Sequence, residues 1–107
     1  MAQYVVRLVH PPDQCPSSNA KVRDRAVKGA SEAPRLAQQH GIRFLAGPLV
    51  LDSEHEGLAI VEAASVEAIH NFVAETGLMQ WNAVRVTLAI PMEESMKELA
   101  RIPPPIY

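Results

Sequence analysis

The residues best suited to chemistry in this chain of 107 residues are its lone thiol and two of its four histidines, all in or beside turns. His10 ends a stretch with strand character, Cys15 lies in the turn-rich segment PPDQCPSS, and His55 lies in the polar run from position 52 to 56. Cysteine sulfur and histidine nitrogen suit zinc or copper, and Asp52 or Glu54 could complete such a shell. The sequence therefore offers His10, Cys15 and His55 as candidate metal ligands.

Two other interpretations of these residues remain open. The spacing from His10 to Cys15 is not a specific metal signature, unlike paired CxxC motifs. Cys15 could be a small buried apolar residue, with His10 at a strand end and His55 in a solvated turn. The same end of the molecule could instead hold a small molecule without a metal, helped by the N-terminus of a helix, where free N–H groups attract anions.

Four more residues are candidates for binding a small ligand. Asn19 lies at the start of the first predicted helix, and Trp81, the one tryptophan, precedes the last predicted strand. Arg7 and Arg85 could bind a carboxylate through two parallel hydrogen bonds, because guanidinium geometry fits that group. For the two arginines, an ion pair with Glu62 or with an acidic residue of a partner chain is the competing interpretation.

Hydrophobic periodicity predicts the elements that must position these residues. Alternating, β-branched runs predict four strands, at 3–10, 42–50, 57–63 and 84–90, with a break or bulge in the second at Gly47-Pro48. Spacings of three and four predict a helix capped by Ser18 or Asn19, a second capped by Ser65, and a short third after Pro91. The prolines from 103 onward predict a stiff, ordered tail, with Ile106 and Tyr107 packed on the domain or its partner.

The order β-α-β-β-α-β predicts a single α+β domain over residues 1–107, in the split βαβ or ferredoxin-like arrangement. Right-handed crossovers give one antiparallel sheet of order 4-1-3-2 with both helices on one face. Both faces of the predicted sheet are largely apolar, whereas a half-solvated sheet alternates between apolar and polar residues. The sequence thus predicts a homodimer through the helix-free face, with Arg7, Arg85 and Thr87 as polar exceptions there.

The element order, with the stretch GLAIVEAASVEAIHNFV followed by WNAVRVTLAIP, resembles the dimeric α+β barrels over residues 2–98. The resemblance implies two ferredoxin-like subunits packed sheet to sheet, with a small-molecule pocket in each subunit or at the barrel mouth. Members include cofactor-free monooxygenases, haem-degrading enzymes, muconolactone isomerase and YCII-like proteins. No residue pattern here matches the active site of those subfamilies, so the resemblance assigns no catalytic residue.

Chain direction predicts where the candidate residues meet. If the first strand rises, its end, the start of the first helix and the turn between strands two and three lie at one rim, and the second helix rises to the same rim. The sequence therefore predicts that His10, Cys15 and His55 approach one another there, near Trp81.

Composition limits the classes of function. A net charge of −2 argues against a protein that tracks nucleic-acid phosphates. One cysteine allows no internal disulfide, and no apolar run reaches the 18 or so residues of a membrane span, so a cytoplasmic protein is expected. Two classes remain: a small-molecule enzyme, cofactor-free or metal-assisted, acting as an oxygenase or isomerase, and a noncatalytic dimer of stress-response type that binds a ligand or metal.

Overall fold

The computed structural model describes residues 1–52 and 54–104. Two short 3-10 turns, Pro12–Gln14 and Leu78–Gln80, precede the first long helix and the last strand. The four strands and three helices are β1 (Ala2–Val9), α1 (Ala20–Gln39), β2 (Arg43–Leu51), β3 (Glu56–Ala63), α2 (Val66–Glu75), β4 (Ala83–Ala89) and α3 (Met92–Leu99). The predicted α+β class and element order are confirmed. The expected packing of Ile106 and Tyr107 falls outside the described residues.

The four strands form one antiparallel sheet of order β2-β3-β1-β4, which is the expected series 4-1-3-2 read from the other edge. In the centre, Val6 is paired with Ala59 of β3 and with Val86 of β4. The register of β2 against β3 shifts between Phe44 and Leu49, around the predicted break at Gly47-Pro48. A proline has no N–H to donate to a ladder, so regular pairing is interrupted there.

The hydrophobic core lies between one face of the sheet and the two longer helices. Because side chains alternate across a strand, Val6 of β1 and Ala59, Val61 and Ala63 of β3 share that face. The helical partners of these residues in the core are Leu36 and Ala37 of α1 and Ile69, Phe72 and Val73 of α2. The covered face is therefore the one that carries Val6.

Both long helices begin at the expected kind of cap. Asn19 Oδ1 accepts a hydrogen bond from the Val22 N–H (3.1 Å), and Ser65 Oγ accepts one from the Ala68 N–H (3.2 Å). Each bond satisfies an N–H that lacks a partner within the first helical turn.

Helices α1 and α2 approach closely at one glycine. A Cβ added to Gly29 would stand 2.5 Å from the carbonyl oxygen of Thr76, the residue that caps the C-terminus of α2. Any side chain at position 29 would therefore push the two helices apart.

The other face of the sheet carries Val5, Arg7 and Val9 of β1, beside Leu58 and Ile60 of β3 and Arg85 of β4. The suggested pairing of Arg7 with Glu62 is wrong: Arg7 Nη2 lies 2.9 Å from Glu56 Oε2, whereas Glu62 is 3.5 Å from Arg43. The register explains the difference. Arg7 stands opposite Leu58, and Glu56 is two residues from that position on the same face while Glu62 is four.

Helix α3 carries an apolar face that the described residues leave exposed. Met92 is 75% exposed, and Met96 and Leu99 are also more than half exposed. No residue of α3 is buried against the described part of the chain. Within residues 1–52 and 54–104, no helix combines the length and the apolarity that crossing a membrane requires.

Candidate metal and ligand site

The structure brings His10, Cys15 and His55 together. One donor atom from each lies within 4.8 Å of the other two. Donor atoms bonded to one zinc ion stand roughly 3.5 Å apart, given bond lengths of about 2.0–2.3 Å in tetrahedral geometry. Side-chain adjustments on the order of 1 Å would therefore close the three donors around an ion.

The sheet positions the two histidines. His10 follows the last residue of β1 and His55 precedes the first residue of β3, and these strands end as the pair Val9 and Glu56. The His10 N–H donates to the His55 carbonyl oxygen (3.1 Å), which extends the ladder by one residue. The two rings meet edge to face, with centroids 5.5 Å apart.

The loop before α1 positions the thiol. The Cys15 carbonyl oxygen accepts hydrogen bonds from the N–H groups of Ser18 (3.0 Å) and Asn19 (2.9 Å). Arg23, one turn into α1, donates from Nε to the Pro16 carbonyl oxygen (2.8 Å). These bonds hold the loop against the start of the helix, so that Cys15 has a defined place relative to β1.

Hydrogen bonding lowers the pKa of the Cys15 thiol from 9.0 to about 6. The largest cause is the Ser17 hydroxyl, 2.9 Å from Sγ, followed by the Ser17 backbone; the nearby imidazoles of His10 and His55 add smaller lowerings, and partial burial acts in the opposite direction. A bond to the charged form stabilises the thiolate. Cys15 is therefore largely a thiolate at neutral pH, which is the form that binds metals and attacks electrophiles.

Asn82 fixes which nitrogen of the His10 ring carries the proton. Asn82 Nδ2 donates to the Leu78 carbonyl oxygen (3.0 Å), so its Oδ1 is the atom that faces His10 Nδ1, at 3.1 Å. An amide oxygen can only accept, and His10 Nδ1 must therefore carry the proton. The lone pair of the neutral ring is then on Nε2, which is buried and has no hydrogen-bond partner within the described residues.

His55 has an unusual backbone conformation. Its φ is +53°, in the left-handed region that glycine adopts freely and that other residues adopt at some energetic disadvantage. Such conformations concentrate at functional sites, where a particular side chain is needed in spite of the backbone. The histidine here supplies an imidazole where glycine would fit the turn better.

A cavity of about 740 Å³ opens beside these three side chains, within the usual range of small-molecule pockets. Helix α1 lines it with small residues, among them Ala26, Gly29 and Ala33, and the sheet lines it with Val6, Leu8 and Phe44. Trp81 forms part of the wall, its ring 5.2 Å from that of His10. The thiol and both imidazoles thus face a space large enough for an organic molecule.

The other candidate residues have different positions. Asn19 is used by the backbone, since its amide caps α1 and donates to the Asp13 carbonyl oxygen (3.2 Å). Arg7 and Arg85 stand opposite each other on the helix-free face, and neither lines this cavity. Asp52 lines the cavity, but neither Asp52 nor Glu54 belongs to the group of converging donors among the described residues.

Sequence reasoning did not find Asn82. The residue is 9% exposed and lies between Trp81 and β4, where an asparagine reads as an ordinary turn residue. No pattern in the sequence connects it with a histidine 72 positions away.

No protein-family model and no curated protein sequence matches the chain. Among solved structures, the solution structure of the C-terminal domain of the MgtC protein from Mycobacterium tuberculosis is similar, with a TM-score of 0.48 and 14% sequence identity. The match covers 83% of this chain and 88% of that domain.

Proposed function

We propose that the protein binds a zinc or copper ion through His10, Cys15 and His55 and presents it to a small organic molecule in the adjoining cavity. The observation that carries this proposal is the buried Nε2 of His10, which holds a lone pair and has no partner in the described structure. A buried polar atom without a partner is unfavourable by roughly 1–3 kcal/mol, and a bound ion would remove that penalty.

The donor set favours an ion with a free coordination position. Three protein ligands leave the fourth position of a tetrahedral site open, as in catalytic zinc sites. A hydrogen bond from the second ring nitrogen, such as that of His10 to Asn82, is the usual support for a metal-binding histidine. We therefore favour a metal-assisted enzyme over a purely structural site.

The identity of the ion would decide the reaction class. Zinc polarises a carbonyl oxygen or activates water and has no redox chemistry, which suits isomerisation. Copper can change its oxidation state, which suits oxygenation, and a site with two histidines and one cysteine is a known donor set for copper. The chain's own contribution is the same for both: a thiolate, two oriented imidazoles and an apolar space.

A second candidate function is favoured by the thiolate itself. With no ion present, the Ser17 hydroxyl and backbone are the main groups that lower the pKa of Cys15 to about 6. A thiolate beside an imidazole is the arrangement of a metal-free nucleophile. A noncatalytic dimer that binds a ligand or metal at the same residues is the remaining alternative.

The ferredoxin-like assignment and the homodimer belong to the same proposal. The element order and the antiparallel order β2-β3-β1-β4 support the split βαβ arrangement. The helix-free face supports a dimer, because Val5, Leu58 and Ile60 of that face lie outside the core that α1 and α2 form in the described structure. A second copy packed sheet to sheet would bury them.

The test is metal content of the purified full chain after expression in medium supplemented with zinc and copper. We expect one ion per chain in the wild type and its loss in Cys15→Ser, His10→Ala and His55→Ala. His70→Ala is the matched control, because His70 is exposed on α2 and belongs to no donor group in the described structure. His55→Gly relieves the left-handed backbone, so it should lose the ion while the chain stays folded.

A wild type free of metal under these conditions would overturn the metal proposal. Turnover of candidate substrates by that metal-free protein, abolished in Cys15→Ser, would then establish the nucleophile instead. Stoichiometric metal with ligand binding but no turnover would favour the noncatalytic alternative.

A further inference from the structure

The cavity is chemically asymmetric along its length. Its metal-ligating groups are gathered at one end, where β1 ends, β3 begins and the loop before α1 passes. Away from that end, the walls come from alanines and Gly29 of α1 and from apolar residues of the sheet and of α2. Thr76, a polar residue of the wall, donates its hydroxyl to the Val73 carbonyl oxygen and so has no free hydrogen to offer.

The apolar walls favour a ligand whose main part, its body, is hydrocarbon. Removing apolar surface from water contributes roughly 0.8 kcal/mol per CH₂ group. Because the small residues Ala26, Ala30 and Ala33 of α1 leave the space unfilled, a hydrocarbon chain would contact both the helix and the sheet. A polar body would find no partner for its hydrogen bonds there, which is unfavourable.

The charges at the polar end select a neutral head group. No lysine or arginine is among the described residues that line the cavity, whereas Asp52 and Glu56 are. Glu56 is already paired with Arg7. Asp52, which lies in the same turn as His55, adds a carboxylate to the described wall, where no cationic side chain is present to pair with an anionic head group.

We infer that the natural ligand is a mainly hydrocarbon molecule with one neutral oxygen or sulfur donor at its end, which takes the open position on the ion while the hydrocarbon body fills the space between α1 and the sheet. The inference rests on the proposed function, since the ion anchors the head group. It adds the substrate class and the direction in which the molecule lies.

The experiment compares 1-octanol, octanoate and ethanol as probes of the zinc-loaded full chain. Trp81 is the one tryptophan of the chain and lines the cavity beside His10, so its fluorescence reports binding directly. We expect 1-octanol to bind at least tenfold more tightly than octanoate, which tests the head group, and at least tenfold more tightly than ethanol, which tests the body. In the cobalt-substituted protein, 1-octanol should also change the visible ligand-field bands.

A cavity-filling variant tests the location. Ala26→Leu places a larger side chain in the cavity wall and should weaken 1-octanol binding at least tenfold while leaving one ion per chain. Ala74→Leu is the matched control, because Ala74 is exposed on α2 and lines no part of the cavity. It should change neither measurement.

The outcomes separate this inference from the proposed function. Stoichiometric zinc with no preference for 1-octanol over octanoate would overturn the neutral-ligand inference and leave the metal site standing. Equal 1-octanol binding with and without the ion, or cobalt bands that 1-octanol does not change, would overturn coordination of the head group. A chain that binds no metal would overturn the proposed function and the head-group anchor with it.

Discussion

The two faces of the sheet differ less in composition than in what covers them. On one face, Val6 and Val61 are buried under α1 and α2, while on the other Val5 and Ile60 alternate with charged residues and lie outside the core of the described residues. The covered face is also the one that opens, at one end, onto the thiol and the imidazoles. Apolar alternation therefore shows that a face can be buried, whereas the cavity and its polar end show where chemistry can occur.

The largest expected effect is the loss of stability when a side chain packed on the covered face is truncated. Phe72→Ala should lower the free energy of unfolding by about 3–5 kcal/mol, because truncating a buried aromatic side chain loses its burial and leaves a void. Phe72 is 5% exposed and meets the ring of Phe44 edge to face at 6.0 Å. Urea unfolding measures the loss. Leu88→Ala, at a 54% exposed position of β4, is the control, and an equal loss there would contradict the assignment of the core.

The next largest expected effect is dissociation of the proposed dimer by a charge on the helix-free face. Val5→Asp should convert the proposed dimer into a monomer, since burying an unpaired carboxylate in an interface is unfavourable by roughly several kcal/mol. Light scattering coupled to size exclusion measures it, with Ala74→Asp on exposed α2 as the control. A wild type that is monomeric at micromolar concentration would remove the case for a sheet-to-sheet dimer.

A smaller effect is expected at the polar end of the covered face. Asn82→Ala removes the acceptor for His10 Nδ1 and should weaken zinc binding about 10- to 100-fold, the usual effect of losing such a support. Asn82→Asp keeps an acceptor for His10 Nδ1 but cannot donate to the Leu78 carbonyl oxygen, so it should restore only part of the affinity. Competition with a chromophoric chelator measures both variants. If Asn82→Ala and Asn82→Asp both remain folded and bind zinc equally weakly, Asn82 does not act through the His10 ring.

The smallest expected effect is the pH dependence of the metal-free chain. Because the pKa of Cys15 falls from 9.0 in the ordinary thiol to about 6 in the folded chain, the thiolate's contribution to stability is complete above pH 9 and is lost as the pH falls through 6. The melting temperature of the wild type relative to Cys15→Ser should therefore rise between pH 6 and pH 9. Alkylation of the thiol should have its midpoint near pH 6, and a midpoint near 9 would contradict the role of Ser17.

The sequence was sufficient for the elements and for the convergence of three residues. Periodicity located every strand and helix to within a few residues, and chain direction placed His10 and His55 at one end, because the ends of antiparallel strands must meet. Neither the hydrophobic periodicity nor the direction of the chain depends on side-chain detail. The position of Cys15 followed from the short loop that joins β1 to α1.

What could not be predicted depends on register and on long-range hydrogen bonds. The pairing of Arg7 with Glu56 requires knowing that Arg7 stands opposite Leu58, and a shift of two residues would change the partner. The role of Asn82 requires an amide whose other side is held by a carbonyl oxygen four residues back. The exposed apolar face of α3 has the periodicity of a packed helix, so its sequence does not show that the described part of the chain leaves it exposed.

The irregular pairing of β2 bears on how the molecule avoids aggregation. As an edge strand with exposed Leu49 and Val50, the latter 88% exposed, β2 could template fibril-like growth by accepting a strand from another chain. The shifts of register around Gly47-Pro48 break the straight row of N–H and C=O groups that such growth needs. The irregular pairing of β2 beside the cavity therefore also makes the exposed edge a poorer template for polymerisation.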